Sequence, residues 1–235
     1  MRLQVNLEFK YDKTFIVFNE LFYKDLFLFL QISYLGLMDY VMHLSKDKKL
    51  AKIIGEDLHV LTMQKNIPLR LIASILSQQL STKVAKIIYQ RFLALYNNKE
   101  PKPQQIIDTP NETLRSIGLS NAKVGYVKNV AAFCLEHSIT DKVLVKMSNE
   151  EIIHQLVSIK GVGKWTVEML LMFSLGREDV FAVDDLGIQQ AMIKLYKLDA
   201  TNKKALKEKM LQLSAKWSPY RTYACLHLWK WKDNA

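Results

Sequence analysis

Asp184 and Asp185 stand side by side and could do chemistry. An ionised carboxylate can stabilise positive charge growing on a reacting carbon and can hold a water molecule beside it. Two aspartates at a helix start also have a plain structural use, since they cap free N–H groups and suit the helix dipole. Upstream lies Gly161-Val162-Gly163, a tight turn with two glycines. Such a turn at the mouth of a helix gathers unpaired N–H groups and the positive end of the dipole into one anion site. It can grip a nucleic-acid phosphate without reading sequence, or it can be an interhelical turn that needs glycine for steric reasons. Lys164 puts a cation beside it, and Trp165 an aromatic face. Three further tryptophans come late, at 217, 229 and 231. Flat aromatic faces suit a planar, cationic base. Core packing is the competing use, and it is the reading for Trp217, Tyr220, Tyr223 and Trp231, with His227 likewise structural.

The elements that must position these residues read as helices. Leu80, Val84, Ile87, Ile88, Phe92 and Leu95 recur at helical spacing, which predicts a helix over 69–96 with a break near Gln78–Thr82. Pro101, Pro103 and Pro110 mark a loop leading into a turn at Leu114–Ser120. Val124, Val127, Val130 and Cys134 define a second amphipathic helix. Ser148 and Glu151 form a capping box ahead of Ile152, Ile153 and Leu156. An apolar helix then runs from the glycine turn to about Leu175, with Gly176 as its C-cap. Asp179–Val183 is a short extended link, and Asp184-Asp185 opens a helix through Tyr196, with Asp184 as its cap. Ser218-Pro219 reads as an N-cap and first-turn proline of the last helix. No βαβ alternation appears, so the fold class is all-α.

Composition narrows the partners. The 235 residues carry 33 Lys+Arg against 23 Asp+Glu, and a net charge of +10 favours a polyanion. Nearly half the residues are apolar, which excludes disorder as an overall description. Cys134 and Cys225 alone exclude a four-cysteine zinc or iron–sulfur site and fit a reducing compartment. Residues 1–37 differ from the rest. They hold six of the ten phenylalanines, and their charges cancel, so the whole surplus lies in 38–235. Leu3–Tyr11 alternates like a strand. Leu21–Leu37 is largely apolar but contains Lys24 and Asp25, which is marginal for a membrane span. These residues read as an extension outside the functional domain, 38–235.

The motifs in order resemble one family. Ile159-Lys-Gly-Val-Gly-Lys-Trp-Thr166 followed by Val180-Phe-Ala-Val-Asp-Asp-Leu-Gly-Ile188 is similar to the helix-hairpin-helix DNA glycosylase superfamily, in its DNA-3-methyladenine glycosylase II branch. Ile75-Leu-Ser-Gln-Gln-Leu-Ser81, Ile117-Gly-Leu-Ser120 with Lys123, and Lys216–Trp229 extend the resemblance over roughly 50–231. It implies a two-lobed helical bundle with the active site in the cleft between lobes. It implies that Asp185 is catalytic, that Trp165 and Trp229 line the base pocket, and that Gly161, Gly163 and Lys164 bind DNA. Gln79 falls where relatives fill the gap left by a flipped base. The hairpin of the family also holds a monovalent cation on main-chain carbonyls, which here would be those of Val157, Ile159 and Val162.

Departures sharpen the expectation. Lyase members carry a Schiff-base lysine where this chain has Trp165, and the iron–sulfur cysteines are missing, so strand nicking is disfavoured. The larger members' N-terminal sheet domain has no counterpart, which points to the compact form. Met169 replaces a tyrosine of a larger relative. The reading is a monofunctional, cofactor-free DNA N-glycosylase acting on alkylated purines in double-stranded DNA, as an intracellular monomer, nucleoid-associated if bacterial. A base already cationic from alkylation leaves readily once flipped out, so one carboxylate suffices. Two alternatives remain: a glycosylase for hypoxanthine or oxidised guanine, and a non-catalytic DNA-binding module, which would have no need of an acid at position 185.

Overall fold

The computed structural model describes residues 39–55 and 59–234; the strand-like stretch and apolar run expected within 1–37 lie outside them. Twelve α-helices make up the regular structure of the described residues, apart from two short 3-10 turns. They form two groups. The first is built on α2 (Ile67–Ser77), which buries Ile67, Leu69, Leu71, Ile72, Ile75 and Leu76. Each such side chain contributes about 1.5–3 kcal/mol on leaving water. The first amides of α2 are satisfied from elsewhere in the chain, because the Asp141 carboxylate accepts from Asn66 N and Ile67 N, both at 2.7 Å. Packed on α2 are α3 (Thr82–Ala94), α6 (Asn121–Glu136) and α9 (Lys164–Phe173). Val124, Val127, Val130 and Cys134 are the buried face of α6, as their spacing predicts. The short α4 (Pro103–Asp108) and α5 (Asn111–Ser116) lean on α6, and α7 (Asp141–Lys146) leads into α8 (Asn149–Leu156) with its Ser148/Glu151 capping box.

The second group contains α10 (Leu186–Tyr196), α11 (Lys203–Ser214) and α12 (Arg221–Asp233), with α10 against α12. The helical residues 39–44, α1, supply Tyr40 and Leu44 to the core, and Tyr40 stacks on Tyr223 with ring centroids 4.0 Å apart. Asp47 joins this end together. It accepts from Tyr196 Oη at 2.8 Å, Trp217 Nε1 at 3.2 Å and the Lys49 and Leu50 amides. Burial alone would raise the Asp47 carboxyl, but these bonds together hold it below the ordinary aspartate value. Trp217, Tyr223 and His227 are all buried, as a packing role requires, and burial pushes the His227 imidazole down to about 4.

The break expected within 69–96 is there: α2 and α3 are separated at 78–81, where the Lys123 ammonium caps the end of α2 through the carbonyls of Leu76 and Gln78 at 2.9 and 2.7 Å. Three local expectations are corrected. The turn expected at Leu114–Ser120 starts as the helix α5, with Gly118 at φ +104° after it. α9 stops at Phe173 with Ser174 as C-cap, two residues before Leu175. Finally, α12 starts at Arg221: the Ser218–Pro219 peptide is cis, and the Ser218 hydroxyl donates to Asp179 Oδ2 at 2.8 Å and does not cap a helix. Among the described residues no helix is long and apolar enough to cross a membrane.

Candidate active site

The two helix groups meet at Asp185. This residue is the N-cap of α10, and its Oδ1 accepts the Ile188 amide at 2.9 Å. Trp229, from α12 of the same group, donates its indole Nε1–H to Oδ1 at 2.8 Å. Trp165, from the first turn of α9 in the other group, donates its own to Oδ2 at 2.8 Å. Both carboxylate oxygens therefore accept from neutral indole donors, one from each helix group. Gly187 permits this approach, since a Cβ there would stand 3.1 Å from both Asp185 Oδ1 and Trp229 Cδ1.

The capping role assigned to Asp184 belongs to Asp185. Asp184 is exposed, and Lys207 of α11 binds both its oxygens at 2.6 and 2.8 Å. Adjacent aspartates read alike from spacing, and the backbone lets only the residue directly before the first helical position reach the Ile188 amide.

The glycine turn lies between two helices. Ile159–Gly163 links α8 to α9, and Gly161 has φ +103° with the Tyr126 side chain so close that a Cβ would lie 2.2 Å from its ring. Gly163 is different: at φ −89° with open space around it, it is the N-cap of α9. No side chain caps α9, whereas Ser81, Ser120, Ser148, Thr140, Asp185 and Asn202 cap others. Its first amides lack a side-chain cap, the arrangement that favours an anion.

Lys164 does not reach toward that turn. Its ammonium pairs with Glu168 Oε1 at 3.0 Å, within the same helix. Glu168 is buried, and its Oε2 has no hydrogen-bond partner. Burial raises the Glu168 carboxyl above the ordinary glutamate value, opposed by Lys164.

Gln79 stands exposed at the tip of the 78–81 turn, in the left-handed region at φ +58°. Its neighbour Gln78 faces the hairpin, with long contacts of 3.4 Å to Thr166 Oγ1 and 3.5 Å to the Gly161 carbonyl. Beside Asp185, Trp165 is 47% exposed and so offers an open face, and Trp229 is half-buried. Phe173 is also exposed, with its ring centroid 6.1 Å from that of Trp229. Phe173 escaped sequence reasoning because it falls within an apolar helical run, where an outward aromatic looks like the core residues around it. Among the described residues no three of His, Cys, Asp and Glu gather to hold a metal.

A protein-family model for the HhH-GPD superfamily, base excision DNA repair proteins, matches residues 72–217. The chain belongs to this superfamily.

Within it, the chain falls in the DNA-3-methyladenine glycosylase branch. It is 39% identical over 186 residues to DNA-3-methyladenine glycosylase 1 of Schizosaccharomyces pombe, covering 78% of this chain and 80% of the relative. The fold superimposes on the S. pombe 3-methyladenine DNA glycosylase in complex with abasic DNA with a TM-score of 0.70 and 37% identity, over 82% of this chain and 95% of that one. It superimposes on a DNA-3-methyladenine glycosidase from Bacillus halodurans with a TM-score of 0.71 and 34% identity, over 80% and 86%. The superfamily match spans the hairpin, Asp185 and Trp165, and it stops short of Trp229.

Proposed function

We propose that this protein is a monofunctional DNA-3-methyladenine glycosylase of base excision repair, which flips alkylated purines out of double-stranded DNA and hydrolyses the N-glycosidic bond. The observation that carries this reading is Asp185, a carboxylate clamped between two indole N–H groups at the edge of an aromatic-walled cleft. The flipped, positively charged base would lie against the faces of Trp165, Trp229 and Phe173. As the C1′–N bond breaks, its electron pair neutralises the base, and positive charge passes to the sugar. Asp185 meets that charge, and a water adds at C1′ and releases its proton, leaving an abasic site. The clamp fixes the carboxylate before the charge appears, so little reorganisation is needed.

The uncapped start of α9 would take a phosphate on the amides beyond Gly161 and Gly163, and Gln79 would fill the space of the extruded nucleotide. The working unit is 38–235, acting inside the cell as a monomer and without a cofactor; a monovalent ion on the carbonyls of Val157, Ile159 and Val162 would only brace the hairpin.

Asp185→Asn decides the matter. Excision of methylated bases should fall at least about 100-fold, on the scale of losing a key electrostatic group. Affinity for the same duplex should hold or rise, because a negative charge near phosphates is gone. Excision at the normal rate would end the catalytic reading, and lost affinity would give Asp185 a binding role.

A further inference from the structure

The turn at 78–81 holds its exposed tip residue, Gln79, in the left-handed region at φ +58°. Among the described residues, three of the other five non-glycine residues there are asparagines, whose short side chain tolerates that backbone. Glutamine has no such preference, and a residue kept there persists only where its surroundings over-determine it. Here both peptides flanking Gln79 are held. The Gln78 carbonyl belongs to the peptide before it and accepts from the Lys123 ammonium at 2.7 Å. The Leu80 amide belongs to the peptide after it and donates to the Ser77 carbonyl at 3.1 Å. Fixing two adjacent planar peptides fixes the φ and ψ of the residue between them. Lys123 comes from the first turn of α6 and also takes the Leu76 carbonyl at 2.9 Å. It thereby supplies at the C-terminal end of α2 a cation that the last turn of α2 does not carry itself.

We infer that Lys123 is a positioning residue for Gln79: it sets the left-handed backbone that presents the glutamine amide as a wedge before a base leaves the duplex. Extrusion opens a gap in the stack, and a side chain that fills the gap favours the extruded state. A wedge already in place needs no ordering at that moment, whereas a loose turn must first be ordered. Without the ammonium, the Leu76 and Gln78 carbonyls lose this donor and the strained conformation relaxes. Fewer bound duplexes then hold their lesion extruded, and excision slows by the same factor. The effect is confined to duplexes in which extrusion opens a gap. This inference rests on the reading of Gln79 as the residue that fills the space of the extruded nucleotide.

The test is single-turnover excision at saturating enzyme from two duplexes, one with 7-methylguanine opposite cytosine and one with the same base in a one-nucleotide bulge. Extrusion from the bulge closes the stack and leaves no gap to fill. K123M should slow excision from the paired duplex about tenfold and from the bulge less than about threefold. Q79A should show the same contrast. On the paired duplex K123M/Q79A should be within about threefold of Q79A, because the two changes share one cause and do not add. A loosened fold or a lost phosphate contact slows both duplexes alike. K123M at wild-type speed on the paired duplex, equal slowing on both duplexes, or a double variant slowed by the product of the single effects overturns the inference. Q79A separates the levels: at wild-type speed on the paired duplex it defeats the wedge reading itself, whereas a slow Q79A beside a normal K123M defeats only the role of Lys123. A wild-type chain that releases no methylated base defeats the proposed function and this inference with it. If K123M does not fold, K123Q, an uncharged donor on a shorter stem, takes its place. The same contrast between the duplexes is then expected, and equal slowing on both would contradict it.

Discussion

Asp185 does two jobs with one side chain: it ends the α10 backbone by accepting the Ile188 amide, and it faces the cleft between two indoles. The second job depends on Trp229 as a donor as much as an aromatic wall. Trp229→Phe keeps the face and removes the bond to Oδ1, so single-turnover excision should drop about 10- to 100-fold with little change in melting temperature. A rate within about twofold of wild type would make Trp229 only a stacking surface. Asp184→Asn should behave differently, because its Lys207 pair is about half exposed and such pairs contribute at most about 1 kcal/mol. Its excision rate should stay normal. Residue type singled out Asp185, Trp165 and Trp229, and the fold brings these three into contact. The contacts themselves were not legible. Nothing in the spacing places both indole N–H groups on one carboxylate, since that contact joins positions 165, 185 and 229 only through the fold. Glu168 sits among apolar residues of α9, where a buried charge breaks the pattern without announcing its partner.

Elements were easier to read than their ends. Periodicity located α6 and α10, and the capping box located α8, because local hydrogen bonding and one apolar face decide those helices. An end failed where a distant group intervenes: Asp179 takes the Ser218 hydroxyl expected to cap α12. The apolar stripe of α3 was misread in part too, for Leu80, Val84 and Ile87 are exposed while Ile88 and Phe92 are buried. The hairpin glycines looked equivalent and are not. Gly161→Ala sets a methyl against the Tyr126 ring at a positive φ, which should cost about 2 kcal/mol or more and lower the melting temperature by several degrees. Gly163→Ala has open space, so the fold should persist. Its methyl would stand at the anion site. Binding to damaged and undamaged duplex should weaken alike, roughly tenfold, the worth of one charge-assisted hydrogen bond. Titration of both duplexes checks this, and unchanged affinity would remove the hairpin from the DNA contact.

The described residues form a helical body in which Asp185 lies where the two helix groups meet, so helix packing itself sets the geometry of the proposed site. Tyr40 and Leu44 belong to that packing, and a chain starting at Met38 keeps them. It should fold and excise bases like the full chain, melting within about 10 °C of it; a larger drop, at a few degrees per kcal/mol, would mean that residues 1–37 are part of the fold. All-α architecture was legible from periodicity alone, whereas the meeting of the two groups at Asp185 was not, being a long-range event. The product is the most direct test of the account. Incubated with methylated duplex, the protein should release 3-methyladenine and 7-methylguanine, leave strands intact until alkali is added, and form no borohydride-trapped adduct, since Trp165 occupies the lyase lysine position. Nicked strands, a trapped adduct through Lys164, or release of hypoxanthine or oxidised guanine in place of methylated purines would contradict it.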